Sequence, residues 1–354
     1  MLRYYKGSIV FTLVCLALAV WYGWELTGTA SGTLSMLWIV IVLSVLEISL
    51  SFDNAVVNAT VLDEMDKVWQ RRFLTWGMVF AVFGMRIVFP LAIVAIAAGL
   101  GPLETIHLSL NDPVRYEEIV SSAHVGIAGF GGAFLAMVGL KFFFDADKDV
   151  HWISVVEEKL AKFSRIEAVE IAFLLVTLYF ISLLLPEEDA LTFLTAGLLG
   201  LVTFIGVEAV GKILELKEEA RAATGVVVRS GLGGFIYLNV LDASFSFDGV
   251  IGAFALSNNM IVIALGLSIG AMFVRSMTIM LVQKGTLSEY RYLEHGAFWA
   301  IIALGAIMLL SAHFHIPETI TGLIGATLIG ISLWWSVRHN RSHPDPIEEA
   351  LRGD

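Results

Sequence analysis

The sequence predicts an all-α polytopic membrane protein: a single membrane domain over residues 1–354 with about ten transmembrane helices and an inverted-topology three-helix repeat. Three observations predict it: an apolar composition, a one-sided distribution of basic residues and a phrase that occurs twice. Hydrophobic residues make up 57% of the 354 positions and charged residues 16%, and the mean hydropathy is +0.81. Because soluble domains contain roughly 25% charged residues, this composition excludes a soluble globular protein.

Windows of about twenty apolar residues define the predicted spans. They are 8–27, 34–61, 73–100, 123–144, 168–186, 190–211, 231–256, 259–283, 293–313 and 317–337. The first span has a basic start, which is also typical of a signal peptide. Its length and its bulky Trp21, Tyr22 and Trp24 suit an interfacial aromatic belt and favour a retained helix. The single cysteine, Cys15, excludes an intrachain disulfide and a CxxC site.

Basic residues lie almost entirely on one predicted side of the membrane. Of the 22 lysines and arginines, 19 precede the first span, occupy the even-numbered connections or lie in the tail after the last span. By the positive-inside rule, both termini, including the tail 338–354, are therefore predicted to be cytoplasmic. Segment 145–167 has charged and apolar residues at helical spacing and is predicted to form a cytoplasmic interfacial helix. The acidic stretch 101–122 is predicted to be an outer, solvated loop.

A nine-residue phrase occurs in two of the spans. "VLEISLSFD" at 45–53 and "VLDASFSFD" at 240–248 agree at six positions, and they lie in the second and seventh spans, which cross the membrane in opposite directions. Each copy is followed by an arginine in the next span and by a histidine at the start of the span after that. These residues are Arg86 and His124 after the first copy, and Arg275 and His295 after the second. This ordered series predicts inverted repeats at 34–144 and 231–313, with a binding site where the two meet near the midplane.

Each phrase places two carboxylates at membrane depth. They are Glu47 and Asp53 in the first copy, and Asp242 and Asp248 in the second. A mid-helix acid costs about 2.5–3.5 kcal/mol on the insertion scale, so a functional role is favoured over a register-fixing ion-pair network, the alternative reading. If the two intramembrane arginines offset two acids, the formal charge left is −2, which a divalent cation would neutralise. The four acids are therefore predicted metal ligands, and Arg86 and Arg275 predicted counter-charges or gating residues.

Other side chains complete the predicted site. Asn54 and Asn58 follow Asp53 and are candidate auxiliary oxygen ligands, and an all-oxygen set suits Mg²⁺, Ca²⁺ or Mn²⁺. His124 and His295 are candidates for a proton relay, although histidines near span ends are ordinarily hydrogen-bonded or interfacial. The glycine-rich stretch "GIAGFGGA" at 126–133 more often marks tight helix packing than a pore.

The six-residue spacing of the acids constrains the local backbone. On an ideal helix the two carboxylates of one phrase are about 120° apart, so an unbroken helix does not direct both at one ion. Two solutions remain open: the helix is unwound between Glu47 and Asp53, and likewise between Asp242 and Asp248, or each copy forms two subsites. Broken helices are common at transporter ion sites, which favours the first.

At these phrases the chain resembles the TerC family of integral membrane proteins, within the wider LysE-like group of exporters. The resemblance rests on Glu47 followed by "LSFDNAVV" and on Asp242 followed by "FSFDGVIGAFALS", and covers roughly 34–144 and 231–313. Gly249 stands where the family commonly has serine, and the additional first, fifth, sixth and tenth spans indicate a divergent branch. The resemblance implies metal-ion export, most often of manganese, with an older link to tellurite resistance, and a location in the bacterial inner (plasma) membrane.

The predicted function is secondary-active export of a divalent cation, with Mn²⁺ the best candidate. The cation is the substrate, and no permanently bound cofactor, enzyme activity or nucleic-acid partner is expected; the lipid bilayer is the surrounding partner and homo-oligomers remain open. Alternatives are an organic-solute (amino-acid-like) exporter and a non-transporting subunit of a membrane stress complex. An intramembrane aspartyl protease is disfavoured because the aspartates follow Ser-Phe rather than Gly-x-Gly. No GxxxxGK[ST] phosphate-binding loop is present, so ATP is not expected to drive transport directly.

Overall fold

A computed structural model of the chain describes residues 2–77, 79–144, 150–163, 168–222, 231–254, 256–257, 259–285, 289–314, 316 and 318–342. Within these ranges the regular secondary structure is entirely helical. Seven of the described helices are long and apolar enough to cross a membrane. The predicted all-α polytopic membrane class is thus supported, while the count of ten spans and the inverted repeat stay predictions.

Helical structure occupies every predicted span. The α-helices are α1 Leu2–Thr27, α2 Ala30–Leu50, α3 Phe52–Glu64, α4 Lys67–Arg72, α5 Phe89–Ala98, α6 Pro102–Asn111, α7 Pro113–Ser122, α8 His124–Phe143, α9 Ser154–Phe163, α10 Val169–Ser182, α11 Glu187–Ala222, α12 Leu232–Phe254, α13 Met260–Lys284, α14 Leu293–Ser311 and α15 Glu318–Ser342. Two π-helical segments, π1 Phe73–Gly77 and π2 Phe80–Val88, lie between α4 and α5. The predicted fifth span is the shortest, because α10 has only 14 residues.

The helices pack in a pattern that brings distant spans together. α13 packs along α2 and α3, and α12 packs against π2, while α8 packs against α11 and α14. α1 is held to α13 by the buried hydroxyl of Ser8, which lies 2.6 Å from the carbonyl oxygen of Met272 and 2.6 Å from the hydroxyl of Ser276. The second and eighth spans are therefore neighbours, as are the third and seventh.

Glycines let α8 approach α11 and α14 closely. A Cβ atom at Gly129 would lie 2.7 Å from the carbonyl oxygen of Phe193 in α11, and one at Gly132 would lie 3.0 Å from the backbone nitrogen of Leu309 in α14. On the facing helix, a Cβ at Gly200 would lie 2.3 Å from the carbonyl oxygen of Phe130. The "GIAGFGGA" stretch therefore serves tight helix packing, as predicted.

Substitution of Gly200 by alanine is expected to lower the stability of the protein by about 1–3 kcal/mol, the usual effect of overpacking. The added methyl group meets backbone atoms, which cannot rotate away as a side chain could. Gly206 provides the matched control, because it lies on the same helix with no atom within 4 Å of an added Cβ. Thermal unfolding in detergent should show a lower Tm for Gly200→Ala and an unchanged or higher Tm for Gly206→Ala. Equal shifts would contradict the packing argument.

The stretch 101–122 differs from its prediction as a solvated loop. It forms two short helices, α6 and α7, which begin at Pro102 and Pro113. Tyr116 and Val120 of α7 are fully buried, and Tyr116 contacts Phe254 with ring centroids 6.1 Å apart. This burial raises the pKa of the Tyr116 phenol. The loop prediction was wrong because the charged residues of α7 mask two apolar positions that face the protein interior.

A short helix is present where the interfacial segment 145–167 predicts one. This is α9, Ser154–Phe163; residues 145–149 and 164–167 lie outside the described residues, as does the tail beyond residue 342. The placement of α9 at a membrane surface stays a prediction.

Candidate functional site

The centre of the site is a buried ion pair between the first repeated phrase and the next span. Glu47 and Arg86 are 2% and 4% exposed, and the Arg86 guanidinium donates to the Glu47 carboxylate. The hydroxyl of Ser51 donates to the same carboxylate oxygen at 2.9 Å. Burying either charge alone would be costly, so the pair explains how both residues are accommodated among apolar helices.

Two glycines from the second half of the chain make room for Glu47. A Cβ atom at Gly270 of α13 would lie 2.4 Å from both Cβ and Cγ of Glu47, and one at Gly249 of α12 would lie 2.9 Å from its Oε2. Gly249 therefore leaves space for a carboxylate, where a serine would bring a hydroxyl. Gly270 was missed by sequence reasoning, because its importance depends on an approach between distant helices.

The helix carrying the first phrase is interrupted between its two acids. α2 ends at Leu50 and α3 begins at Phe52, with Ser51 between them at φ −101° and ψ 18°. The N–H of Ser51 still donates to the carbonyl of Glu47 at 3.0 Å, so the interruption at Ser51 leaves that hydrogen bond in place. The second phrase differs from the expectation: α12 runs from Leu232 to Phe254 without a break.

Asp242 is the described carboxylate of the second phrase, and it is only 5% exposed. The Nδ2 group of Asn58 donates to its Oδ1 atom at 2.8 Å, and Asn54 also hydrogen-bonds to this carboxylate. The amide oxygen of Asn58 is buried and has no hydrogen-bond partner among the described residues. Asp242 is therefore held by neutral amides, and one of these amides presents an unused oxygen.

The two intramembrane arginines have different partners. Arg86 pairs with Glu47, whereas Arg275 donates through Nε and Nη2 to the backbone carbonyl of Leu74, at 2.9 and 2.6 Å. No ion pair among the described residues involves Arg275. Among the described residues, an arginine therefore neutralises Glu47 as expected, whereas no acid forms an ion pair with Arg275.

The backbone around Arg86 and Leu74 is π-helical. Arg86 lies in π2 and Leu74 in π1, and π-helical segments are often found at functional sites. Pro90 lacks the N–H that would otherwise bond to the carbonyl of Arg86 four residues earlier. This proline is the sequence signal that could have indicated an irregular helix next to an intramembrane arginine.

Asp242 and both arginines line one cavity. Its volume is about 20 Å³, counted as the space open to the centres of water molecules. The lining residues are Ser51, Asn54, Asn58, Phe73, Arg86, Asp242, Ala271, Val274, Arg275 and Thr278. Sequence reasoning selected five of these and missed the hydroxyl-bearing Ser51 and Thr278, which carry no strong signal in an apolar helix.

The remaining predicted ligands fall in two groups. Glu47 is buried behind Arg86 and is not among the cavity-lining residues. The helical backbone at Asp53 and Asp248 is described, but their side chains lie outside the described residues, so their roles as ligands stay predictions. Among the side chains that the structure does describe, no group of three or more His, Cys, Asp or Glu residues is placed to hold a metal ion.

The two predicted relay histidines lie elsewhere. The Nε2 atom of His124 is 3.2 Å from the carbonyl oxygen of Ser311. That of His295 is 2.7 Å from the carbonyl oxygen of Val150 and 3.6 Å from a carboxylate oxygen of Glu157. Neither histidine lines the cavity, so both match the ordinary reading of histidines near helix ends.

Glu157 is a buried acid that sequence reasoning did not single out. It is 2% exposed and accepts hydrogen bonds from the backbone N–H groups of Trp152 and Ile153 and from Nε1 of Trp299, at 2.9, 3.2 and 2.9 Å. These bonds fix the start of α9 against α14. Because Glu157 lies in a segment rich in charged residues, the sequence pattern predicts a solvated side chain and does not indicate its burial.

Comparisons with known proteins add a family and no function. Residues 52–343 match the family described as "Protein of unknown function (DUF475)". Searches of curated proteins and of solved structures found no match to the chain. The chemistry of the site must therefore be interpreted from its own residues.

Proposed function

This chain belongs to the DUF475 family, and we propose that it is a secondary-active membrane transporter that exports a divalent cation, with Mn²⁺ as the preferred substrate. One observation carries the proposal. A buried carboxylate, Asp242, lines a small cavity together with Asn58, whose buried amide oxygen has no hydrogen-bond partner within the described part of the chain. A buried oxygen acceptor without a donor is costly, and a cation in the cavity would satisfy it together with the carboxylate.

The donor atoms in the cavity suit a hard cation. Asp242 supplies carboxylate oxygens, Asn54 and Asn58 supply amide oxygens, and Ser51 and Thr278 supply hydroxyl oxygens. Oxygen-only sets favour Mg²⁺, Ca²⁺ and Mn²⁺ over the softer transition metals. The Asn58 amide is already oriented, since its Nδ2 group donates to Asp242, and its oxygen needs little further ordering to become a ligand.

The charge of the site bears on the valence of the ion. Glu47 and Arg86 form a neutral pair, which leaves Asp242 and Arg275 as the other described charges on the cavity wall. We propose that Asp53 and Asp248 add their charges here, which brings the whole set to −2. A divalent cation would neutralise that charge, and protonation of the carboxylates after release would couple export to the proton gradient.

The size of the cavity favours an ion over an organic solute. About 20 Å³ of water-centre space holds one or two water molecules, since a single water requires about 10–15 Å³ on this measure. Arg275 near Asp242 supports a second candidate, an amino-acid-like solute whose carboxylate and ammonium groups would bind these two residues. That solute requires a cavity several times larger, so it ranks second.

The packing of the helices supports the proposed alternating-access mechanism. α13 packs against α2 and α3, and α12 packs against π2, which are the reciprocal contacts expected of two inverted repeats. Rocking of one repeat against the other would expose the cavity to each side in turn. The TerC-like assignment, the bacterial inner membrane and the cytoplasmic termini belong to the same proposal.

Transport by the purified protein in liposomes tests the proposal. Wild-type protein is reconstituted with a pH gradient, and uptake is measured for Mn²⁺, Ca²⁺, Mg²⁺ and Zn²⁺ and for lysine and glutamate, with protein-free liposomes as the control. Saturable Mn²⁺ flux is the expected result. Flux of an amino acid without flux of any divalent cation would replace the first candidate by the second. No flux of either class would favour the non-transporting membrane subunit.

A further inference from the structure

We propose that Arg275 is a gate residue that closes the cavity on the side of the basic loops. Its guanidinium lines the cavity and bridges α13 to π1 through two hydrogen bonds to the Leu74 carbonyl, at 2.9 and 2.6 Å. The contact joins one predicted repeat to the other. The inference rests on the proposed function, since a gate has meaning only in a protein that moves a solute.

The position of the contact defines the side that it closes. Leu74 follows α4, which ends at Arg71 and Arg72, and Arg275 lies in the half of α13 that ends at Lys284. Ala271, one turn farther from Lys284 than Arg275, also lines the cavity. The bridge therefore lies between Ala271 and the basic ends of these helices, which the positive-inside rule places in the cytoplasm. A cytoplasmic cation would have to pass it to reach Asp242.

The chemistry of the bridge suits a contact that breaks and re-forms. Its acceptor is a backbone carbonyl, and hydrogen bonds from arginine to a neutral carbonyl are weaker than bidentate bonds to a carboxylate. Arg86, in contrast, is committed to the Glu47 carboxylate within a single predicted repeat. The Arg275 bridge can therefore open as the two repeats move apart. Arg86 and Glu47 lie in the same predicted repeat, so their ion pair stays intact during that movement.

The charge of Arg275 assists closure. A guanidinium stays protonated at every physiological pH, so the closed gate always presents a positive charge to an approaching cation. Deprotonation cannot open the gate, and opening instead requires that α13 move relative to π1. The irregular backbone of π1 and π2 places that movement in the span that also carries Arg86.

Thiol accessibility of the cavity tests the gate without measuring transport. Cys15, the only cysteine, is replaced by alanine, and Ala271→Cys is introduced as the reporter, because Ala271 is 5% exposed and lines the cavity on the far side of Arg275 from Lys284. The reagent is N-ethylmaleimide, which is small and uncharged, so its approach does not respond to the loss of a charge. The labelling rate is compared with and without Arg275→Met in reconstituted protein.

Arg275→Met should accelerate labelling at least about tenfold, the change expected when the free energy of one hydrogen bond is lost. Arg275→Lys, whose ammonium group can still donate a hydrogen bond to the Leu74 carbonyl in place of the two from arginine, should give an intermediate rate. Lys284→Met is the matched control, because Lys284 is an exposed cation at the end of the same helix and does not line the cavity; its labelling rate should equal that of the parent.

An unchanged rate in Arg275→Met would overturn the gate, whether or not Mn²⁺ is transported. Faster labelling in a protein that does not transport Mn²⁺ would support the gate and overturn only the choice of substrate. If Arg275→Met does not purify as a monodisperse protein, the comparison of Arg275→Lys with Lys284→Met decides the question. Equal rates in those two variants would then overturn the proposal.

Discussion

Replacing Asp242 by asparagine is expected to reduce the Mn²⁺ transport rate by at least about 100-fold, which corresponds to about 3 kcal/mol of lost cation binding. That loss is on the order of the attraction between a carboxylate and a cation at close range near a protein interior. Asparagine has nearly the same shape and can still accept the 2.8 Å hydrogen bond from Asn58. The variant should therefore fold and insert normally.

The stability of the same variant provides a second measurement. No arginine or lysine forms an ion pair with Asp242 among the described residues, and the carboxylate is 5% exposed. Replacing a buried charge that is held by neutral amides with a neutral group relieves a desolvation cost. We therefore expect an unchanged or higher Tm together with the loss of transport. This combination is typical of a residue kept for function.

Asp63→Asn is the matched control for this experiment. Asp63 lies on α3, the helix that carries Asn58, and its side chain is exposed. It should leave both the transport rate and the Tm unchanged. If Asp242→Asn retained more than half of the wild-type rate, Asp242 would be a structural residue and the cation site would have to be placed elsewhere.

Much of the fold could be predicted because a lipid bilayer restricts the backbone conformations that can cross it. Each predicted span contains helical structure, since a backbone surrounded by lipid must satisfy its hydrogen bonds within the segment. The pairing of Glu47 with Arg86 follows from the same reasoning, because two opposite charges in neighbouring apolar helices are costly apart. These features depend on composition and order along the chain, which a single sequence displays directly.

The parts that could not be predicted depend on how closely particular backbones approach. Gly249 and Gly270 adjoin Glu47 only because α12 and α13 pack against the end of α2. The Leu74 carbonyl accepts from Arg275 because π1 has an irregular backbone, and a sequence pattern does not specify which backbone carbonyl becomes available. The buried Glu157 accepts hydrogen bonds from the backbone of Trp152 and from the side chain of Trp299, which lies in a distant helix. Such contacts require three-dimensional coordinates.

The second large effect is expected at the buried pair itself. Arg86→Met leaves Glu47 as an uncompensated carboxylate that is 2% exposed, and breaking a buried ion pair in this way typically costs about 3–5 kcal/mol. Glu47→Gln leaves the Arg86 guanidinium without its carboxylate and is expected to be destabilising for the same reason. The free energy of unfolding, measured by chemical denaturation in detergent micelles, should fall in both single variants.

The double variant, Glu47→Gln with Arg86→Met, separates the pair from other contacts of these residues. Because neither charge remains, it should recover most of the lost stability, and the coupling energy of the double-mutant cycle should be about 2–3 kcal/mol, near the upper range for residues in direct contact. The hydrogen bond that Ser51 donates to the residue 47 side chain can persist with glutamine, so the recovery does not depend on it. Additive losses would mean that each residue is stabilised by other partners. In that case the charge left for a cation would have to be recounted, since Glu47 and Arg86 could no longer be treated as a neutral pair.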